Sequence, residues 1–196
     1  MRPLTRDDLM GLEQYAEARP EFRARVLAHK RLRRIQIGPH ATLHFEDRLT
    51  IQYQVQEMLR TERIFEKAGI EEELEAYNPL IPDGTNLKAT LMIEYEDVEE
   101  RREALARLRG VEDRVWVEVD GHSRAYAIAD EDLERENEEK TSSVHFMRFE
   151  LEPAARAAAL AGAAIRIGID HDAYRHSVTL TEASARNLAA DLEAAA

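Results

Sequence analysis

Apolar residues recur at helical spacing in the first part of the chain and at alternating spacing in much of the rest. Leu9, Leu12 and Tyr15 form a stripe behind Thr5, Asp7 and Asp8, a helix start with an acidic first turn. Pro20 interrupts that stripe, and Phe22, Val26 and Leu27 begin a second. Gly38, Pro39 and His40 make a break. Beyond residue 87 the texture changes. Residues 88–95 read as a strand, and 98–108 read as a helix stopped by Gly110. Residues 114–119 and 124–129 alternate around Asp120 and Gly121, a hairpin signal. A charged helix is predicted over 130–140 and a strand over 144–151. A short helix starts at Pro153 and ends at Gly162. Residues 164–169 and 177–180 read as a last pair of strands, and Thr181 and Glu182 open a terminal Ala-rich helix.

One stretch reads two ways. From Leu49 to Val55 apolar and polar residues alternate as in a half-buried strand, while Ile51, Val55, Met58, Leu59 and Phe65 share a helical face. The alternation fails at Gln56–Glu57–Met58–Leu59, the composition favours a helix, and no Gly or Pro occurs before Gly69. The pattern therefore predicts a helix over 47–68, preceded by a short strand over 42–46 and followed by another helical turn or two over 71–76. Pro, Asp-Gly and Asn signals make 78–86 a loop. The expected fold is α+β: a helical N-terminal part (1–77), a loop (78–87) and a part with a mostly antiparallel sheet and helices (88–196), forming one compact domain.

Composition narrows the chemistry. The chain is 196 residues, 44% hydrophobic and 34% charged, enough to bury a core. Its net charge of -12 opposes a phosphate backbone, so nucleic acid is not an expected partner. The basic stretch at 28–34 reads as a helix end or a salt-bridged surface. There is no cysteine, which excludes iron–sulfur ligation, thiolate zinc, c-type haem attachment and thiol catalysis by the chain itself. With no signal-like N-terminus and no apolar run of membrane length, the expectation is a soluble cytoplasmic protein.

Several groups could carry chemistry. Asp170, His171, Asp172 and His176 are the most metal-like cluster, in residue types suited to iron, zinc or manganese, though their spacing matches no defined motif. His40 and His44 share a face in either a helix or a strand, with Glu46 joining them only in a strand. His145 alternates with Met147 and Phe149, where a histidine is usually a satisfied core residue. Glu46, Thr50, Gln54 and Glu57 would form one polar stripe on a continuous helix, and Glu62 or Glu94 could join them around a cation. The bland reading of that stripe is a hydrogen-bond network, with pairs such as Glu57–Arg60. No Glu-x-x-His pair, phosphate loop, nucleophile elbow or zinc helix is present.

The run Phe45, Glu46, Arg48, Thr50, then Gln54, Gln56, Glu57, Met58, Arg60 and Glu62, resembles the hallmark segment of a bacterial family, domain of unknown function 3501. The resemblance extends through 77–95 and on to the strand at 144–151 and the 170–176 cluster. It carries no settled activity and no catalytic residues. It implies gene neighbours encoding rubrerythrin-like proteins and an iron–sulfur oxidoreductase, and hence a role near iron, peroxide defence or electron transfer. Three readings follow. The first is a non-haem metal (iron) binding protein of a redox or peroxide-defence, oxidative-stress pathway, with His171, His176, Asp172, His145, Glu46 and Glu57 as candidate donors. The second is a non-enzymatic partner or assembly protein for those redox enzymes. The third is an enzyme on a small organic molecule, using Glu57 or His145 as a base near the 78–86 loop. A homo-oligomer is expected under each.

Overall fold

The structure, a computed structural model, describes residues 1–131 and 140–193. Among them are six α-helices and nine strands in two sheets whose paired strands are all antiparallel, the expected α+β class. The helix predicted over 130–140 falls mostly outside the described residues. No helix among the described residues is long and apolar enough to cross a membrane.

The larger sheet runs in the order β1 (Arg34–Ile37), β2 (Ala41–Glu46), β3 (Asn86–Ile93), β7 (Val144–Glu150) and β6 (Ile128–Ala129). The smaller runs β5 (Ala125–Tyr126), β4 (Val115–Val119), β8 (Ile165–His171) and β9 (Tyr174–Thr179). The alternation seen in the sequence explains the core. Leu43 and Phe45, Leu87 and Leu91, and Met147 and Phe149 turn inward from the larger sheet. They meet Val115 and Val117, and Ile165, Ile167 and Ile169, from the smaller one. Each such side chain, fully buried, contributes about 1.5–3 kcal/mol. The hairpin expected at 114–129 is half formed. Its return strand pairs with β4 for two residues, and after Ala127 the chain crosses to the other sheet and pairs with β7. Helices α4 (Val98–Arg107), α5 (Pro153–Leu160) and α6 (Glu182–Ala189) match the predicted positions.

Three helix boundaries differ from the periodicity. Thr5 caps only a 3-10 turn over Arg6–Asp8, and the first α-helix starts after Gly11. Helix α1 (Leu12–Arg33) runs straight through Pro20. Proline there leaves a carbonyl one turn back without its donor, but Tyr15, Phe22 and Val26 all lie buried on one face and hold the helix against Leu49 and Tyr53. Helix α2 (Arg48–Thr61) stops well short of residue 68, and α3 (Lys67–Tyr77) begins afresh. The stop is a helix-terminating turn built without glycine. Arg63 takes the left-handed conformation (φ 56°), and the Ile64 N–H donates to Leu59 O at 2.9 Å. Phe65, expected on the apolar face, therefore lies beyond the helix and is 72% exposed.

The basic stretch ends α1 and conceals a buried cation. Arg33, 1% exposed, donates from Nε to Phe45 O and from Nη2 to Glu46 O, each at 3.0 Å. It also pairs with Asp191 near the far end of the chain, reaches Asn187 Oδ1 at 3.0 Å, and lies 3.4 Å from Asp47. Asp47 in turn holds His29 Nε2 at 2.5 Å and caps α2 by accepting from Thr50 N. Burial pushes the Asp191 carboxyl up to about 6, and Arg33 opposes that rise. Arg33→Met should lower the unfolding free energy by about 3–5 kcal/mol in a urea titration, because buried Asp191 loses its counter-charge. Adding Asp191→Leu should restore a substantial part of it. A double variant no more stable than the single one would show that the two residues are not coupled.

Candidate functional site

The polar motif on α2 is a clasp for the N-terminal segment and α1. Glu46 is not on the helix at all. It is the last residue of β2, and its carboxylate accepts from Thr50 Oγ1 at 2.5 Å. Thr50 is buried in the α2 capping box. On successive turns of α2, Arg48 pairs with Asp8 at 2.6 Å and Gln52 donates to Asp8 O at 2.6 Å. Gln56 accepts from Met10 N at 2.7 Å and donates to Met10 O at 3.2 Å. Gln56 is fully buried, which leaves its amide no other partner to choose. Glu57 accepts from Tyr15 Oη at 2.6 Å and from Arg19 Nε and Nη2 at 2.7 Å, with Arg60 at 3.9 Å. Gln54 is half-buried and Glu62 is exposed at the helix end. Glu94 lies across the sheet, within 3.3 Å of Thr42 Oγ1. The stripe is thus split between strand and helix, and Glu57 is committed to Arg19 and Tyr15.

The histidines are also separated. His171 donates from Nε2 to Arg109 O at 3.0 Å while Nδ1 accepts from Ala173 N at 3.1 Å, so both ring nitrogens are used in the turn. His176 packs edge-on against Tyr174 and covers Gly38, where an added Cβ would come within 2.6 Å of its ring. Asp172 is fully exposed, and Arg175 spans it and Asp170. His40 stacks on Tyr95, and half-buried His44 faces the outer side of the larger sheet, where burial and then Arg34 and Lys30 lower its pKa. His145 is the core histidine its alternation predicts. Nδ1 meets Asp130 Oδ2 at 2.6 Å, and Nε2 lies 3.0 Å from both Ser142 O and Thr141 Oγ1. Among the described residues, no three His, Asp or Glu side chains gather as a metal site. The candidate donors His171, His176, Asp172, His145, Glu46 and Glu57 are each drawn to a different neighbour.

A cleft does lie beside the predicted loop. It has a volume of ≈ 510 Å³, within the range of small-molecule sites. Tyr77 at the end of α3 and Pro79 and Leu80 in the following 3-10 turn form one wall. Ile128, Phe146, Lys88, Glu131 and Arg148 line the rest, on the outer side of the larger sheet. Neither Glu57 nor His145 lines it. His145 points to the inner face of β7, opposite Phe146 and Arg148.

The cleft is organised by strand register. Lys88 lies directly opposite Arg148 in the β3–β7 pair, an arrangement of like charges that is unfavourable unless compensated. Arg148 is compensated: Glu131 grips Nε and Nη2, each at 2.8 Å, and Glu150 pairs with Nη1. Lys88 is half-buried. Among the described residues its amine has no hydrogen-bond or ion-pair partner. Burial lowers its pKa first and Arg148 second, while Glu131, Asp83 and Glu150 pull the other way. In the sequence, Lys88 opens one strand-like segment and Arg148 is one polar position of another. The only signal was two cations on the outward faces of neighbouring alternating segments, and the register that joins them is not a local property.

Arg19, with Tyr15 adding, holds the Glu57 carboxyl down to about 2 against an ordinary value of 4.5. Its contribution to stability is therefore complete above about 4.5 and is lost as pH falls towards about 2. Glu57→Gln should lower the thermal midpoint at neutral pH, and the gap from the parent should close in acid. An equal gap at both ends of the titration would mean the ion pair is not what is lost.

The model of the family described as "Protein of unknown function (DUF3501)" matches residues 3–192. No curated protein matches the chain. A crystal structure of a novel protein of unknown function from Burkholderia pseudomallei K96243 is similar at 54% identity, covering 98% of this chain and 100% of that one, with a TM-score of 0.92. With nearly its whole length matched, the chain belongs to the family of domain of unknown function 3501.

Proposed function

We propose that the chain binds a small organic acid in the cleft beside residues 78–80. The carboxylate lies against Lys88, and an aromatic or branched apolar body lies between Tyr77, Leu80 and Phe146. The observation that carries this reading is the half-buried Lys88 amine, without a partner among the described residues, in a mostly apolar cleft. A buried cation favours an anionic partner, because an uncompensated charge in such a place is costly. Arg148 supplies a second positive charge nearby but is already bound by two carboxylates, so its part is to shape the field. The apolar walls add the transfer free energy of the ligand body.

The gene neighbours that the family resemblance implies would favour a different reading, a non-haem iron protein of a redox or peroxide-defence pathway, or a partner of such enzymes. That reading has no assembled donor set behind it among the described residues. The cleft is the stronger support.

Phenyllactate, an aromatic hydroxy acid, is a suitable probe. Isothermal titration should give saturable binding. Lys88→Met should weaken it by about tenfold or more, the loss of roughly one charge-assisted hydrogen bond. No heat of binding at millimolar phenyllactate, or equal affinity in Lys88→Met, would overturn the reading.

A further inference from the structure

Resting on that reading, we infer that Lys88 forms an imine with the carbonyl carbon of a bound 2-oxo acid. A lysine becomes a nucleophile when its amine is desolvated or stands beside another cation, because both disfavour the ammonium form. Lys88 meets the first and, with Glu131 and Glu150 offsetting Arg148, part of the second. It is half-buried in the cleft with Phe146 and Ile128, and it faces Arg148 directly across the β3–β7 pair. It is carried on a central strand rather than a loop, with β2 on one side and β7 on the other, so its backbone is fixed. Burial first and Arg148 second lower its pKa, against the pull of Glu131, Asp83 and Glu150.

The other lysines lack this setting. The chain has four. Lys67 pairs with Glu71 on an exposed helix, and Lys30 lies over the Tyr53 ring. Lys140 is exposed.

A 2-oxo acid suits the charges better than a simple aldehyde. Once the amine is neutral, the field of Arg148 still favours the substrate carboxylate, and a 2-oxo acid offers Nζ the carbonyl next to it. The lone pair of Nζ attacks the carbonyl carbon, the C=O π pair moves to oxygen, and proton transfer through water gives a neutral carbinolamine. Loss of its hydroxyl with a proton, as water, leaves C=N. The sum is amine plus carbonyl giving imine plus water, with no oxidant or reductant required. The positive charge of the protonated imine is balanced by the substrate carboxylate, with Glu131 and Glu150 close by through Arg148.

The test uses the full chain, phenylpyruvate as the 2-oxo acid and sodium cyanoborohydride to trap the imine as a secondary amine. Intact mass should show one adduct, and peptide mapping should place roughly tenfold more label on Lys88 than on any other amine. Excess phenyllactate should suppress it. Lys88→Arg, verified as folded by its circular dichroism and melting curve, should lose it. Mapping on the unmodified protein makes the result independent of that variant. Label spread evenly over the amines, or no adduct while phenyllactate still binds in a Lys88-dependent way, would overturn the imine and leave the binding reading standing. Selective labelling of Lys88 without phenyllactate binding would support the imine and count against the hydroxy-acid reading of the cleft.

Discussion

The fold is gathered around the buried Arg33 guanidinium. Placing a cation in the interior carries a large desolvation cost, and it is tolerable only when its donors are matched. Here the matching groups come from distant parts of the chain: two carbonyls at the end of β2, Asp47 at the start of α2, and Asn187 and Asp191 near the C-terminal end. Separate those elements and the charge is left without partners. The same group therefore fixes where α1 ends, how β2 turns into α2, and where the last turn of the chain docks.

From Asp47 the constraint passes along α2. Arg48, Gln52 and Gln56 hold residues 8–10, while Glu57 holds α1 through Arg19 and Tyr15. The N-terminal segment then reaches the loop after α3, where Asn78 accepts from Leu4 N at 2.8 Å and donates to Leu4 O at 3.0 Å. Asn78 begins the 3-10 turn that carries Pro79 and Leu80, one wall of the cleft. The polar motif of α2 thus supports one wall of the cleft. Its side chains are saturated by the protein's own groups, which leaves them little capacity for a ligand but makes the wall's position depend on them.

The opposite side of the cleft is set by the sheet. In an antiparallel pair, register decides which side chains stand face to face, and here it sets Lys88 against Arg148. Two carboxylates satisfy the arginine and leave the lysine amine as the chemically available group. The Asp130–His145 pair on the inner face of the same strand belongs to the core. A strand alternates its faces, so the odd offset from His145 to Arg148 puts the packed histidine and the cleft-lining arginine on opposite sides.

Much of the fold was readable from local pattern. Alternation marked β3, β4, β7 and β8, helical spacing marked α2 and α4, and Pro153 and Thr181 marked helix starts. Those features depend on residues a few positions apart, which periodicity and capping describe well. The uninterrupted α1 at Pro20, the glycine-free stop at Arg63 and the strand that changes sheets at Ala127 were not readable, because tertiary packing outweighs local preference at each. The site divides in the same way. By itself the sequence determined the α+β class, the family resemblance, the absence of thiolate chemistry and the polarity of the α2 segment. Only the tertiary structure decided that the histidines and carboxylates part company and that Lys88 stands beside Arg148 in a cleft. Charge pairing and strand register act between residues tens of positions apart, and nothing in local sequence encodes which of many compatible partners each group will meet.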